Sequence, residues 1–104
     1  MPPRAAKDCR TMEEVRAEID RIDRALVDLV GERFEFVDRA WQLKSSPAEA
    51  RVPWRIQQVI DKVKARARAR ALPPELAEAL WRQMIGWFIQ YEEEKLERQK
   101  DGKD

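Results

Sequence analysis

Apolar residues recur at spacings dominated by three and four along the first half of the chain, at Met12, Val15, Ile19, Ile22, Leu26, Leu29, Phe36, Ala40 and Leu43. That period marks one face of an α-helix. No proline interrupts it from Thr11 to about Lys44. Thr11-Met12-Glu13-Glu14 fits a capping box, in which an N-cap threonine and a glutamate three residues on each satisfy a free backbone amide. Gly31 weakens the helix by roughly 1 kcal/mol without ending it. The predicted helix has about 33 residues and a length near 50 Å, whereas a compact domain of this size is roughly 35 Å across. Its stripe outruns its own chain and requires a second copy. The pattern therefore predicts a homodimer with the long helices side by side and antiparallel.

Ser45-Ser46-Pro47 breaks the period, and the segment to Pro53 reads as a loop. A second helix is predicted from Pro53 to Arg70, with Ile56, Val59, Ile60, Val63 and Ala67 on one face. Leu72-Pro73-Pro74 stops it, and proline near N1 lets a third helix start at once. That helix carries Leu76, Leu80, Met84, Trp87, Phe88 and Tyr91 and runs to about Gln99. Residues 1–7 read as a flexible N-terminus, 8–98 as one helical domain and 99–104 as a frayed tail. The expected fold class is all-α, three helices with a long first one.

Composition narrows the chemistry. Of the 104 residues 39% are charged, but 21 basic and 20 acidic side chains leave a net charge of +1, so bulk charge points to no polyanionic partner. With no histidine, Ser-His-Asp and Cys-His nucleophiles, HExxH zinc sites and imidazole acid–base steps are excluded. The single Cys9 rules out an internal disulfide or a CxxC knuckle, and Gly31, Gly86 and Gly102 form no phosphate loop. No cofactor or metal is expected. No apolar run approaches the ~18 residues of a membrane span, nor does the N-terminus carry a signal-peptide core. A cytoplasmic protein is expected, with neither membrane nor nucleic acid as partner.

Arg33 stands in the apolar company of Leu26, Leu29, Val30 and Val37, and Lys44 lies three turns further on the same face. Two cations on an inward stripe are costly unless an anion joins them. Acids from the second or third helix, or an anionic ligand, can meet that need. Arg16 lies about 25 Å from Arg33 along the axis, so within one helix the two cannot share a small ligand. An antiparallel partner brings its own Arg16 near Arg33 and Lys44; by itself Arg16 reads as a solvated residue. Trp41, Trp54, Trp81 and Trp87 read as packing residues. The basic run Lys62, Lys64, Arg66, Arg68, Arg70 reads as a solvated face, with a nucleic-acid groove as the sharper alternative.

The string Val15-Arg16-Ala17-Glu18-Ile19-Asp20-Arg21-Ile22-Asp23, followed by Arg33 and Lys44, resembles the helical chorismate mutases. Asp8-Cys9 and Gln83-Met84-Ile85-Gly86-Trp87-Phe88-Ile89 make it most similar to the isochorismate-pyruvate lyases of that family. The resemblance covers about residues 8–98. It implies an intertwined all-helical homodimer with two shared active sites and a cofactor-free pericyclic reaction on a small dicarboxylate. Chorismate rearranges to prephenate, or isochorismate loses pyruvate to leave salicylate. By the same resemblance, Arg16 of one chain with Arg33 and Arg55 of the other hold the substrate carboxylates, and Lys44 donates to the ether oxygen and a carboxylate. Planar guanidinium forks suit such carboxylates.

Two positions depart from the mutases. Where these place acids for the ring hydroxyl, this chain has Val52 and Ile56, as apolar as the lyases it resembles. That favours isochorismate, with chorismate mutase activity alongside it, over mutase activity as the main reaction. Where the family usually has a glutamine donating to the ether oxygen, this chain has Glu92. An ionised carboxylate only accepts, so Glu92 must carry a proton to donate. The competing class is a non-catalytic helical dimer whose stripe and basic run bind a protein or nucleic acid.

Overall fold

The computed structural model describes residues 3–101. Three helices, α1 (Met12–Gln42), α2 (Pro53–Ala69) and α3 (Pro74–Asp101), carry the chain. Short 3-10 turns stand at Ala6–Asp8 and Pro47–Ala50. No strand occurs among the described residues. The chain forms two compact units, Met1–Phe36 and Val37–Asp104, whose junction falls inside α1.

In the first unit, the N-terminal cap of α1 forms from the expected residues with one change. Thr11 Oγ1 accepts from the Glu14 amide at 3.1 Å. The Glu14 carboxylate reaches past Thr11 to accept from the Arg10 amide at 2.8 Å. Within the segment expected to be a flexible terminus, the Arg4 guanidinium pairs with Glu14, and its backbone amide donates to Glu18 at 3.0 Å. That bond and Arg21 hold the Glu18 carboxyl below its ordinary range. No residue of α1 is buried. Ile19, Ile22, Leu26 and Leu29 of its stripe are all about half exposed, and Phe36 is 72% exposed.

α1 ends at Gln42, two residues short of the Lys44 expected from the pattern, as the Leu43 and Lys44 amides turn back to the Ala40 and Trp41 carbonyls. In the second unit, α2 and α3 form an antiparallel hairpin. Ile60 packs with Ile85 and Ile89, and Ile56, Val59 and Trp81 close around them. Nearer the turn, Lys64 pairs with Glu78 at 3.1 Å. Arg82 and then Lys64 hold the Glu78 carboxyl below its ordinary range. The loop expected between Lys44 and Pro53 contains the Pro47–Ala50 turn, which packs on α3 and buries Ala50. α3 continues to Asp101, through the start of the expected frayed tail. Of the tryptophans read as packing residues, Trp54 is 70% and Trp87 59% exposed, and Trp87 packs its ring on Phe88 and Tyr91. A tryptophan at helical spacing marks a face, but not which face the neighbours cover.

α2 closes through a Schellman motif: the Leu72 amide donates to Ala67 O at 2.8 Å and the Ala71 amide to Arg68 O at 3.2 Å. The residue between, Ala71, sits at φ 61°, where a Cβ is penalised and glycine is not. Replacing Ala71 by glycine should therefore stabilise the protein by about 0.5–1 kcal/mol, after the entropy glycine adds to the unfolded chain. Urea unfolding reads this as a higher midpoint at unchanged slope; an unmoved or lowered midpoint contradicts it.

Candidate active site

Lys44 is placed just beyond the last turn of α1, and Glu92 on the buried face of α3 with Phe88, Ile89 and Leu96. Their side chains meet: Lys44 Nζ donates to Glu92 Oε2 at 2.5 Å. Glu92 is only 6% exposed and is the one buried charged side chain among the described residues. A carboxylate so enclosed is costly unless a cation and a hydrogen bond compensate it. Lys44 supplies both. Lys44 thus meets an acid from the third helix, one of the two partners that the sequence leaves open.

The other positions gather less tightly. Arg51 Nη2 lies 3.7 Å from Glu93 Oε1, a loose surface pair beside the Lys44–Glu92 contact. Arg55 is exposed on the first turn of α2 and donates to Gln58 on its own helix at 2.6 Å. Val52 is the N-cap of α2; its carbonyl accepts from the Arg55 and Ile56 amides, both at 3.0 Å. Ile56 packs against the isoleucine core. In the first unit, Arg16 is exposed and Arg33 half-buried on α1, about 25 Å apart along the axis.

A polar node next to this pair has no counterpart in the reading of the sequence. Tyr91 Oη donates to Asp38 Oδ1 at 2.6 Å, and Trp41 Nε1 donates to the same oxygen at 2.7 Å. The tyrosine bond, then the indole bond and the charge of Lys95, hold the Asp38 carboxyl below its ordinary range. Asp38 in turn raises the Tyr91 hydroxyl above its own. At neutral pH Asp38 is thus the acceptor and Tyr91 keeps its proton. The Asp38/Trp41 spacing of three on one helix was visible in the sequence. The bond to a tyrosine 53 residues away was not, and Tyr91 read simply as a member of an apolar face.

No group of three or more His, Cys, Asp or Glu among the described residues could hold a metal ion. A groove of about 500 Å³ runs along Arg82, Gln83, Gly86, Trp87 and Gln90. All its walls come from α3, half a turn out of phase with Glu92, so it is an open helix surface rather than an enclosure. The usable chemistry lies in a half-buried ammonium held against a buried carboxyl, with arginines on the adjoining helices. Such a set can bind and polarise an anionic oxygen compound, but offers no nucleophile in the manner of a serine or cysteine enzyme.

No helix of the described residues is long and apolar enough to cross a membrane. Residues 15–93 match the family described as chorismate mutase type II. The chain is also 31% identical over 83 residues to a protein named isochorismate pyruvate lyase from Pseudomonas aeruginosa. That similarity covers 80% of this chain and 82% of the relative. With three helices, the first of them long, and a match over most of its length, the chain belongs to the type II chorismate mutase family.

Proposed function

We propose that the protein is a cofactor-free pericyclic enzyme that converts isochorismate to salicylate and pyruvate, with chorismate mutase activity as a side reaction. The observation that carries this reading is the contact of Lys44 with Glu92, residues 48 positions apart that the family resemblance assigns to the same reacting oxygen. Lys44 has three N–H donors. It can keep Glu92 and still donate to the ether oxygen as the C–O bond breaks and charge grows there. Such a donor, fixed in place beforehand, stabilises the transition state more than the ground state. The proposed carboxylate ligands are Arg33 and Arg55, with Arg16 from a second chain. Their part is to hold the compact reactive conformer.

The choice of isochorismate rests on Val52 and Ile56. Both are hydrocarbon, and Ile56 is engaged in the core, so neither offers an acceptor for the ring hydroxyl that mutases bind. A site built to bond a hydroxyl rejects a substrate lacking it far more strongly than an apolar site does. The 31% identical relative bears a lyase name, which supports the same choice.

The proposed assembly is a homodimer built on α1. Ile19, Ile22, Leu26, Leu29 and Phe36 stand exposed along it, and each apolar side chain of this size gains about 1.5–3 kcal/mol on full burial. A second copy laid antiparallel covers them and delivers its Arg16. The competing reading, a non-catalytic dimer that binds a macromolecule through the α2 basic run, has less support. Lys64 is already paired with Glu78, and Arg66, Arg68 and Arg70 lie in the last turn and at the C-cap of α2, where cations complement the helix dipole.

With both substrates offered in separate assays, kcat/KM is expected to be higher for isochorismate than for chorismate. The opposite order overturns the choice of substrate, and inactivity on both overturns the reaction. Sedimentation equilibrium at micromolar concentration should give twice the 12.3 kDa chain mass; a folded monomer defeats the shared site. Glu92→Gln is expected to donate at every pH. At neutral pH the variant should therefore exceed the parent in kcat/KM. A variant no faster than the parent would mean that Glu92 supports Lys44 without donating to the substrate.

A further inference from the structure

Lys44 is poorly anchored by its own position. It follows the last turn of α1, where the chain leaves the helix for Ser45 and Ser46, and its side chain has four flexible carbons. Its ion pair with Glu92 is shared once a substrate binds, since an anionic ligand draws on the same ammonium. A second attachment is needed that the ligand leaves alone.

We propose that Asp38, Trp41 and Tyr91 form a clamp that positions Lys44 for its donor role. The bonds form a closed ring. Tyr91 Oη donates to Asp38 Oδ1 at 2.6 Å, and Trp41 Nε1 donates to that oxygen at 2.7 Å. The Trp41 carbonyl accepts from the Lys44 amide at 3.1 Å. Lys44 Nζ reaches Glu92, the neighbour of Tyr91 on α3. Two successive residues of α3 thus grip the end of α1 at points six residues apart. Two of these bonds are to the Asp38 carboxylate, and charge-assisted bonds of this kind are about twice as strong as neutral ones.

Tyr91 is itself held. Its ring stacks on Trp87 with centroids 5.7 Å apart and planes 10° from parallel, and Lys95 Nζ lies 5.5 Å from its centroid. Trp87, largely exposed, therefore has a role as a shelf for this ring. When substrate takes the Lys44 ammonium, the Asp38–Tyr91 bond still fixes the Lys44 backbone through Trp41. The clamp acts on the geometry of the bound state, so its loss falls on kcat before KM.

This inference rests on the proposed role of Lys44, and two readouts separate the two. The full-length variants are Tyr91→Phe, Asp38→Ala and Asp38→Asn. The asparagine keeps an oxygen able to accept both bonds. Tyr91→Phe and Asp38→Ala should lower kcat about tenfold with KM within about twofold, an ordinary cost for a misplaced group, and Asp38→Asn should recover most of the loss. Trace acetylation followed by mass spectrometry then measures Lys44 against exposed Lys62 without any substrate. Lys44 should label severalfold faster in Tyr91→Phe and Asp38→Ala, and near the parent rate in Asp38→Asn. If the parent converts neither substrate, the reaction assignment fails and the labelling alone decides the clamp. Unchanged Lys44 labelling, an Asp38→Asn as impaired as Asp38→Ala, or a raised KM at parental kcat overturns it.

Discussion

Burial of the Glu92 carboxylate is the constraint around which the second unit is arranged. A carboxyl on the inner face of α3, in line with Phe88, Ile89 and Leu96, conflicts with the solvation of its charge. The fold resolves the conflict by bringing a lysine from 48 residues earlier into contact. To do so, α1 must end before Lys44, the chain must turn through Ser45–Ser46, and the Pro47–Ala50 turn must settle on α3. The isoleucine core between α2 and α3 would form without this pair. The course of the chain from α1 into α2 would not be fixed by that core alone. If the proposed reaction is right, a structural requirement and a chemical one fall on the same two residues.

How much of this was legible follows from the range of each interaction. The helices were legible because a three–four apolar period and helix-stopping prolines are local signals. Thr11 and Pro74 mark their starts by chemistry confined to one turn. The antiparallel hairpin follows from the short Arg70–Pro73 connection once the apolar faces are known. The proximity of Lys44 and Glu92 was not derivable from period or spacing; it came through the family resemblance. The Asp38–Tyr91 bond was beyond both routes. Its partners are 53 residues apart, and neither stands in the string that carries the resemblance. The exposure of Trp54 and Trp87 was not legible for a related reason: a helical pattern assigns residues to faces, and only tertiary packing decides which faces are covered.

α1 presents the opposite balance from the hairpin. It has amphipathic order along 31 residues and no buried residue, so little within its own chain rewards its length. Isolated helices owe most of their stability in proteins to packing of the apolar face. The proposed second copy supplies that packing. It also explains why Arg16 belongs to the family string although it lies about 25 Å from Arg33 along the helix. On this reading, the side chain serves the neighbouring chain's substrate.

On the proposed reaction, glutamate at position 92 carries a cost and a gain. Glutamine would donate to the ether oxygen without needing a proton, but it would leave Lys44 facing a neutral amide. Glutamate holds the ammonium by charge, in a position where a growing negative charge on the substrate can share it. The same charge repels that oxygen unless the carboxyl is protonated or Lys44 stands between the two. The Asp38 clamp bears on this balance. On the proposed reading, it fixes the backbone from which the Lys44 ammonium reaches Glu92. Glu92 then need not be the donor itself: it can act by directing the lysine that is.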